Sequence, residues 1–130
     1  MEGNNIPRRA KVLVVGGGGR EHAIVDALSR SERVEKIFCA PGNAGIARQA
    51  KCVPLEDTQV DELAEFAENE GIDLTVVGPE VSLAAGIVDE FEARGLKIFG
   101  PSRAAARIES SKDFAKELMA KYNVPTAAYR

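Results

Sequence analysis

Lys11-Val12-Leu13-Val14-Val15-Gly16-Gly17-Gly18-Gly19-Arg20-Glu21-His22-Ala23 is the stretch that decides the fold class. Lys11–Val15 is the near-continuous apolar run of a strand covered on both faces in a parallel sheet. Four glycines then let the backbone turn tightly and approach a ligand closely. A helix-like run follows from Arg20, so its unpaired N–H groups and positive dipole end point back at the turn. Strand, glycine turn and helix start together form an anion site, most often for a phosphate.

The alternation continues outward from that stretch. Ile24, Ala27 and Leu28 share one face of a helix over Arg20–Arg30. Lys36–Ala40 is a short strand and Cys52-Val53 a very short one. Thr58 offers an N-cap with Asp61 three residues on, a variant of the capping box. Val60, Leu63, Ala64 and Ala67 follow at helical spacing, and Gly71 supplies a left-handed stop. Ile72–Val77 is the next buried strand. Leu83, Ala84, Ile87, Val88 and Phe91 form one more apolar stripe, capped by Ser82 and stopped by Gly95, before a last strand over Leu96–Phe99. The order predicts an α/β fold, a Rossmann-like three-layer parallel sheet with right-handed crossovers and helices on both faces.

Beyond that, the pattern changes. Gly100-Pro101-Ser102 is a turn, Arg103–Ile108 a short helix, and Ser110 caps a helix carrying Phe114, Leu118, Met119 and Tyr122. Asn123-Val124-Pro125 ends it. The chain stops where an extended strand would begin, which reads as the front of a longer protein. The expected organisation is an N-terminal extension (1–10), a Rossmann-like domain (11–101), and a hinge leading into a second domain (102–130).

Composition bounds the function. The 130 residues are 45% apolar without a tryptophan, enough for an aliphatic core. A net charge of −3 argues against nucleic-acid or acidic-membrane partners. No apolar run approaches the roughly 20 residues of a membrane span, and Met1–Ala10 lacks the features of a signal peptide. Cys39 and Cys52 read as reduced thiols, and the expected location is cytoplasmic. Asp57, Asp61, Glu62, Glu65, Glu68 and Glu70 read as a solvated helix face rather than a metal site, and no metal ligand set is expected within these residues.

A glycine turn after the first strand invites a dinucleotide reading. The spacing G-x-G-x-x-G fails, because the third position is Glu21 or His22; the looser G-x-G-x-x-x-A fits Gly17, Gly19 and Ala23. An NAD site also needs an acid at the end of the second strand, for the ribose hydroxyls. Phe38-Cys39-Ala40-Pro41-Gly42-Asn43 holds none, and the first arginine beyond it is Arg48. A second glycine-bracketed turn, Ala40-Pro41-Gly42-Asn43-Ala44-Gly45, stands there instead, and a third, Val77-Gly78-Pro79-Glu80, ends the next long strand. In such a sheet the carboxyl ends of the strands face the ligand crevice. A phosphate-sized nest, an amide-bearing loop and a carboxylate therefore converge, which suits a small, polar, phosphorylated ligand.

In order and nearly without gaps from Lys11 to Arg130, the three turns and Leu96-Lys97-Ile98-Phe99-Gly100-Pro101-Ser102 closely resemble the front of the phosphoribosylamine–glycine ligase (glycinamide ribonucleotide synthetase) family, within the ATP-grasp ligases. Gly17 departs from the asparagine often found there in the family. The resemblance implies de novo purine synthesis: glycine and 5-phosphoribosylamine joined through glycyl phosphate, with ATP going to ADP and phosphate. It implies ATP and Mg (or Mn) as cofactors of the full-length enzyme, held by a missing part of a chain about three times longer. It also implies that this piece alone is inactive and binds no cofactor tightly. Small molecules (phosphoribosylamine, glycine and ATP) and the remainder of the ligase chain are the partners it implies.

Roles carry over by position. The substrate set is Gly18, Gly19, Arg20 and Glu21 at the first nest, Gly42, Asn43 and Gly45 as the second wall, and Gly78, Pro79 and Glu80 at the third turn. Glu80 is the candidate for orienting the amine, and no catalytic residue is assigned with certainty. Lys112 is the candidate for the ATP phosphates, and Pro101 and Ser102 begin the hinge. His22 reads as a packing or positioning residue. The alternatives are the front domain of another ATP-grasp ligase, a nucleotide-cofactor-binding Rossmann module, or a non-catalytic interaction domain.

Overall fold

The computed structural model describes residues 9–100 and 114–121. Five strands, β1 (Ala10–Gly16), β2 (Val34–Pro41), β3 (Lys51–Cys52), β4 (Leu74–Val77) and β5 (Ile98–Phe99), form one sheet in the order β3-β2-β1-β4-β5. Every pairing is parallel. The helices are α1 (Gly19–Ser29), α2 (Val60–Glu70), α3 (Glu80–Ala84), α4 (Ile87–Ala93) and α5 (Phe114–Lys121).

Residues alternate across a strand, so β1 feeds two cores. Val12 and Val14 join Ile37, Cys39, Leu74 and Val76 beneath Ile24, Val25 and Leu28 of α1. Leu13 and Val15 join Phe38, Ala40, Val77 and Ile98 beneath Leu63, Ala64 and Ala67 of α2 and Ile87 and Phe91 of α4. That two-sided burial explains the unbroken apolar runs of β1 and β4. Leu118 of α5 is buried in the first core, and Lys121 places its Nζ 5.6 Å from the Phe99 ring centre. The expected three-layer α/β fold is present.

Three local expectations need correction. Thr58 does not cap α2; Gln59 stands at the N-cap and Thr58 lies in the preceding turn. The turn is closed by Gln59 N–H donating to Glu56 O at 3.1 Å, while the Gln59 side chain accepts from Glu56 N–H at 2.7 Å. The stripe from Leu83 to Phe91 is not one helix. Gly86 adopts φ 87 and separates α3 from α4. Ser82 is no cap either: it is buried within α3 and its hydroxyl donates to Asp57 O, tying α3 to the loop before α2. Gly71 does close α2 in the left-handed conformation. Ser102, the 103–108 helix, Ser110, Lys112 and Tyr122 lie outside the described residues.

Candidate functional site

The chain leaves β1 toward β2 on one side and later returns to β4 on the other. The topological switch therefore falls between β1 and β4, where a parallel sheet opens its ligand crevice. The first and third turns flank that opening, and the second lies beside the first. The three are hydrogen-bonded into one unit. Gly42 N–H donates to Gly16 O at 3.1 Å, and Gly78 N–H donates to Val15 O at 3.1 Å.

Gly16 turns with φ 127, a conformation that L side chains rarely adopt. Gly18 then caps α1, and Glu21 reaches back so that its Oε1 accepts Gly18 N–H at 2.7 Å. This is the acidic half of a capping box, and it leaves Gly19 and Arg20 exposed at the helix start. Glu21 itself turns inward and is buried.

Asn43 is committed to the fold at both ends of its amide. Its Nδ2 donates to Gly17 O at 2.7 Å, and its Oδ1 accepts Ile46 N–H at 2.9 Å. The half-buried His22 lies against the loop: a Cβ on Gly45 would come within 2.9 Å of its ring. Gln49 adds an anchor, donating to Asp26 Oδ1 and to Ser29 Oγ on α1. That bond from Gln49, with Arg30 beside it, holds Asp26 below the usual carboxylate range. Of the third turn, Gly78 is buried, whereas Glu80 is exposed as the first residue of α3.

Both thiols lie beneath these turns. Cys39 donates to Gly16 O at 3.3 Å and Cys52 to Asn43 O at 3.7 Å. Burial pushes the Cys39 thiol up to about 12, with Cys52 and Glu21 adding to the effect. Alkylation needs the thiolate. Iodoacetamide at pH 8 is therefore expected to modify the half-buried Cys52 in the native protein and to reach Cys39 only after denaturation. Equal labelling rates by mass spectrometry would contradict this placement.

Residues 10–109 match the family described as phosphoribosylglycinamide synthetase, N domain. The chain belongs to this family. The phosphoribosylamine–glycine ligase of Caldanaerobacter subterraneus subsp. tengcongensis is 63% identical over 120 residues, covering 92% of this chain and 29% of the relative. That of Neisseria meningitidis serogroup B is 58% identical over 120 residues, with 92% and 28% covered. A crystal structure of phosphoribosylamine–glycine ligase from Thermotoga maritima is 29% identical, with 87% of this chain and 25% of that chain covered and a TM-score of 0.47. The chain thus spans less than a third of the length of the curated relatives it matches.

Within this N domain, the fold brings Gly18, Gly19, Arg20, Glu21, Gly42, Asn43, Gly45, Gly78, Pro79 and Glu80 to one end of the sheet. Lys112 lies outside the described residues. The bond from Asn43 to Gly17 and the anchor from Gln49 to Asp26 carry no sequence signal, because they join residues 26 and 23 positions apart; only the Asn43 bond to Ile46 is local. Among the described residues no group of three or more His, Cys, Asp or Glu side chains is placed to hold a metal ion, and no helix is long and apolar enough to cross a membrane. An open acidic depression of about 440 Å³, lined by Thr58, Asp61, Glu62 and Glu90 among others, shares no residue with the three turns. Its carboxylates would repel a phosphate.

Proposed function

We propose that this N domain forms the phosphoribosylamine-binding part of a ligase that joins glycine to 5-phosphoribosylamine. The observation that carries the reading is the convergence of three turns at the switch point of a phosphoribosylglycinamide synthetase N domain. In the proposed reaction the glycine carboxylate takes the terminal phosphoryl group of ATP, giving glycyl phosphate and ADP. The amine then attacks the acyl carbon, phosphate leaves, and the amine loses a proton as the amide forms. The exposed backbone at Gly19, the α1 dipole and Arg20 suit the substrate's phosphate, with Gly18, whose N–H is held by Glu21, shaping the turn around it. Gly42, Asn43 and Gly45 form the adjoining wall, and Glu80 faces the ribose or the amine. Glu80 would aim that amine, and an amine held unprotonated near a carboxylate is suited to attack.

The Mg or Mn ion and most of the ATP pocket are proposed to belong to the remainder of the ligase chain. Residues 1–10 are assigned to an extension, 11–101 to the substrate domain, and 102–130 to the hinge and start of the ATP-grasp domain. Lys112 is proposed to reach the ATP phosphates. The test is glycine-dependent ADP release by the full-length protein supplied with ATP and phosphoribosylamine. We expect the 130-residue piece alone to release none. Full-length protein that forms ADP only with a different acid would overturn the reading.

A further inference from the structure

Glu21 is a charged side chain with 6% exposure, and among the described residues no basic side chain pairs with it. Such burial is costly for a carboxylate, and one accepted hydrogen bond from Gly18 N–H offsets only part of it. What surrounds the group is glycine. A Cβ added at Gly16 would lie 2.6 Å from both Cγ and Cδ of Glu21, and one at Gly18 would lie 3.3 Å from Oε1. A Cβ at Gly78 would overlap the carboxylate itself and stand 2.9 Å from Cγ.

Gly78 is the informative case. It is not among the residues with positive φ, so the backbone there would accept an alanine. Its N–H is fixed to Val15 O at 3.1 Å, so the third turn cannot retreat without losing that bond. While the Glu21 carboxylate holds this position it fills the space a side chain at residue 78 would need, and an alanine there would have to displace it.

We propose that Glu21 is a positioning residue: its carboxylate is the spacer between the first and third turns and fixes where Glu80 stands relative to the start of α1. This rests on the ligand reading above only for what the gap is used for. The spacer itself is a property of the fold.

A double-mutant cycle on the intact protein, read by thermal unfolding and by calorimetric titration with ribose 5-phosphate, tests it. Gly78→Ala should lower the unfolding midpoint by about 5 °C or more in the native background, and by about 2 °C or less in Glu21→Ala, where the overlap is gone. Should Gly78→Ala fail to fold, recovery of folding in the double variant is the same result. Glu21→Gln keeps the shape and an acceptor, so it should hold ribose 5-phosphate affinity within about threefold, while Glu21→Ala loses about tenfold or more. Equal losses from Gly78→Ala in both backgrounds would overturn the proposal. So would a Glu21→Gln loss as large as that of Glu21→Ala, which would make the charge a direct ligand contact. A native protein that does not bind ribose 5-phosphate would sink the ligand reading, and the unfolding cycle would still decide the spacer.

Discussion

Glu80→Gln in the full-length ligase is expected to lower kcat/KM for phosphoribosylamine by about 100-fold or more, the scale typical of a lost acid–base or aiming group. The change keeps the size of the side chain and removes its charge and basicity. Glu80 is exposed at the start of a five-residue helix, where no packing depends on it, so the fold should be unaffected. The KM for ATP should hardly move, because the ATP pocket is assigned to the other domain. Steady-state kinetics with phosphoribosylamine and ATP varied in turn separate the two effects. Near-normal values for both substrates would reduce Glu80 to a turn residue.

The second large effect concerns the scaffold. Phe91 is fully buried among Leu63, Ile87, Ile98 and their neighbours, on the face of the sheet opposite α1. Its carbonyl also accepts from Arg94 N–H and Leu96 N–H, closing α4 and setting the approach to β5. Phe91→Ala removes a ring that its neighbours cannot replace, at a cost of about 3–5 kcal/mol. Against a total of about 5–15 kcal/mol for a domain, that leaves little reserve. Chemical denaturation should show a lower midpoint with an unchanged slope. A loss under about 1 kcal/mol would mean that the core on this face is looser than the geometry indicates.

How much of this was legible in the sequence varied by element. β1 and β4 were readable because strands buried on both faces cannot alternate with polar residues; Val12 to Val15 and Leu74 to Val77 had to be almost wholly apolar. α2 was readable from its spacing and its closing Gly71, although its start was not. Thr58 has the right chemistry for a cap, but the turn at Glu56–Gln59 sets the helix start one residue later. The break at Gly86 was hidden because a glycine inside an apolar stripe is also tolerated in an unbroken helix. Ser82 resembles a cap for the same stripe, yet it points to a carbonyl of a distant loop.

The site followed the same division. The three turns were visible as glycine-bracketed strand ends, and their convergence follows from parallel topology. What each polar side chain does there was not visible. Asn43 looks like a donor and acceptor facing a ligand, yet both ends of its amide are used by Gly17 and Ile46. Glu21 is expected at the first nest beside the ligand, yet it turns inward because three glycines leave room for it. Sequence spacing fixes which residues share a turn, not how closely two turns separated by tens of residues approach.

We propose that the carboxyl ends of β1, β2 and β4 together hold a phosphorylated ribosyl ligand. The most direct test is amide chemical-shift mapping of the protein during titration with ribose 5-phosphate, with NAD as the control. Saturable shifts are expected at Gly17–Arg20, Gly42–Gly45 and Gly78–Glu80, and none of comparable size with NAD. Shifts centred on the acidic depression at Thr58–Glu62, or a micromolar NAD complex at the glycine turn, would contradict it.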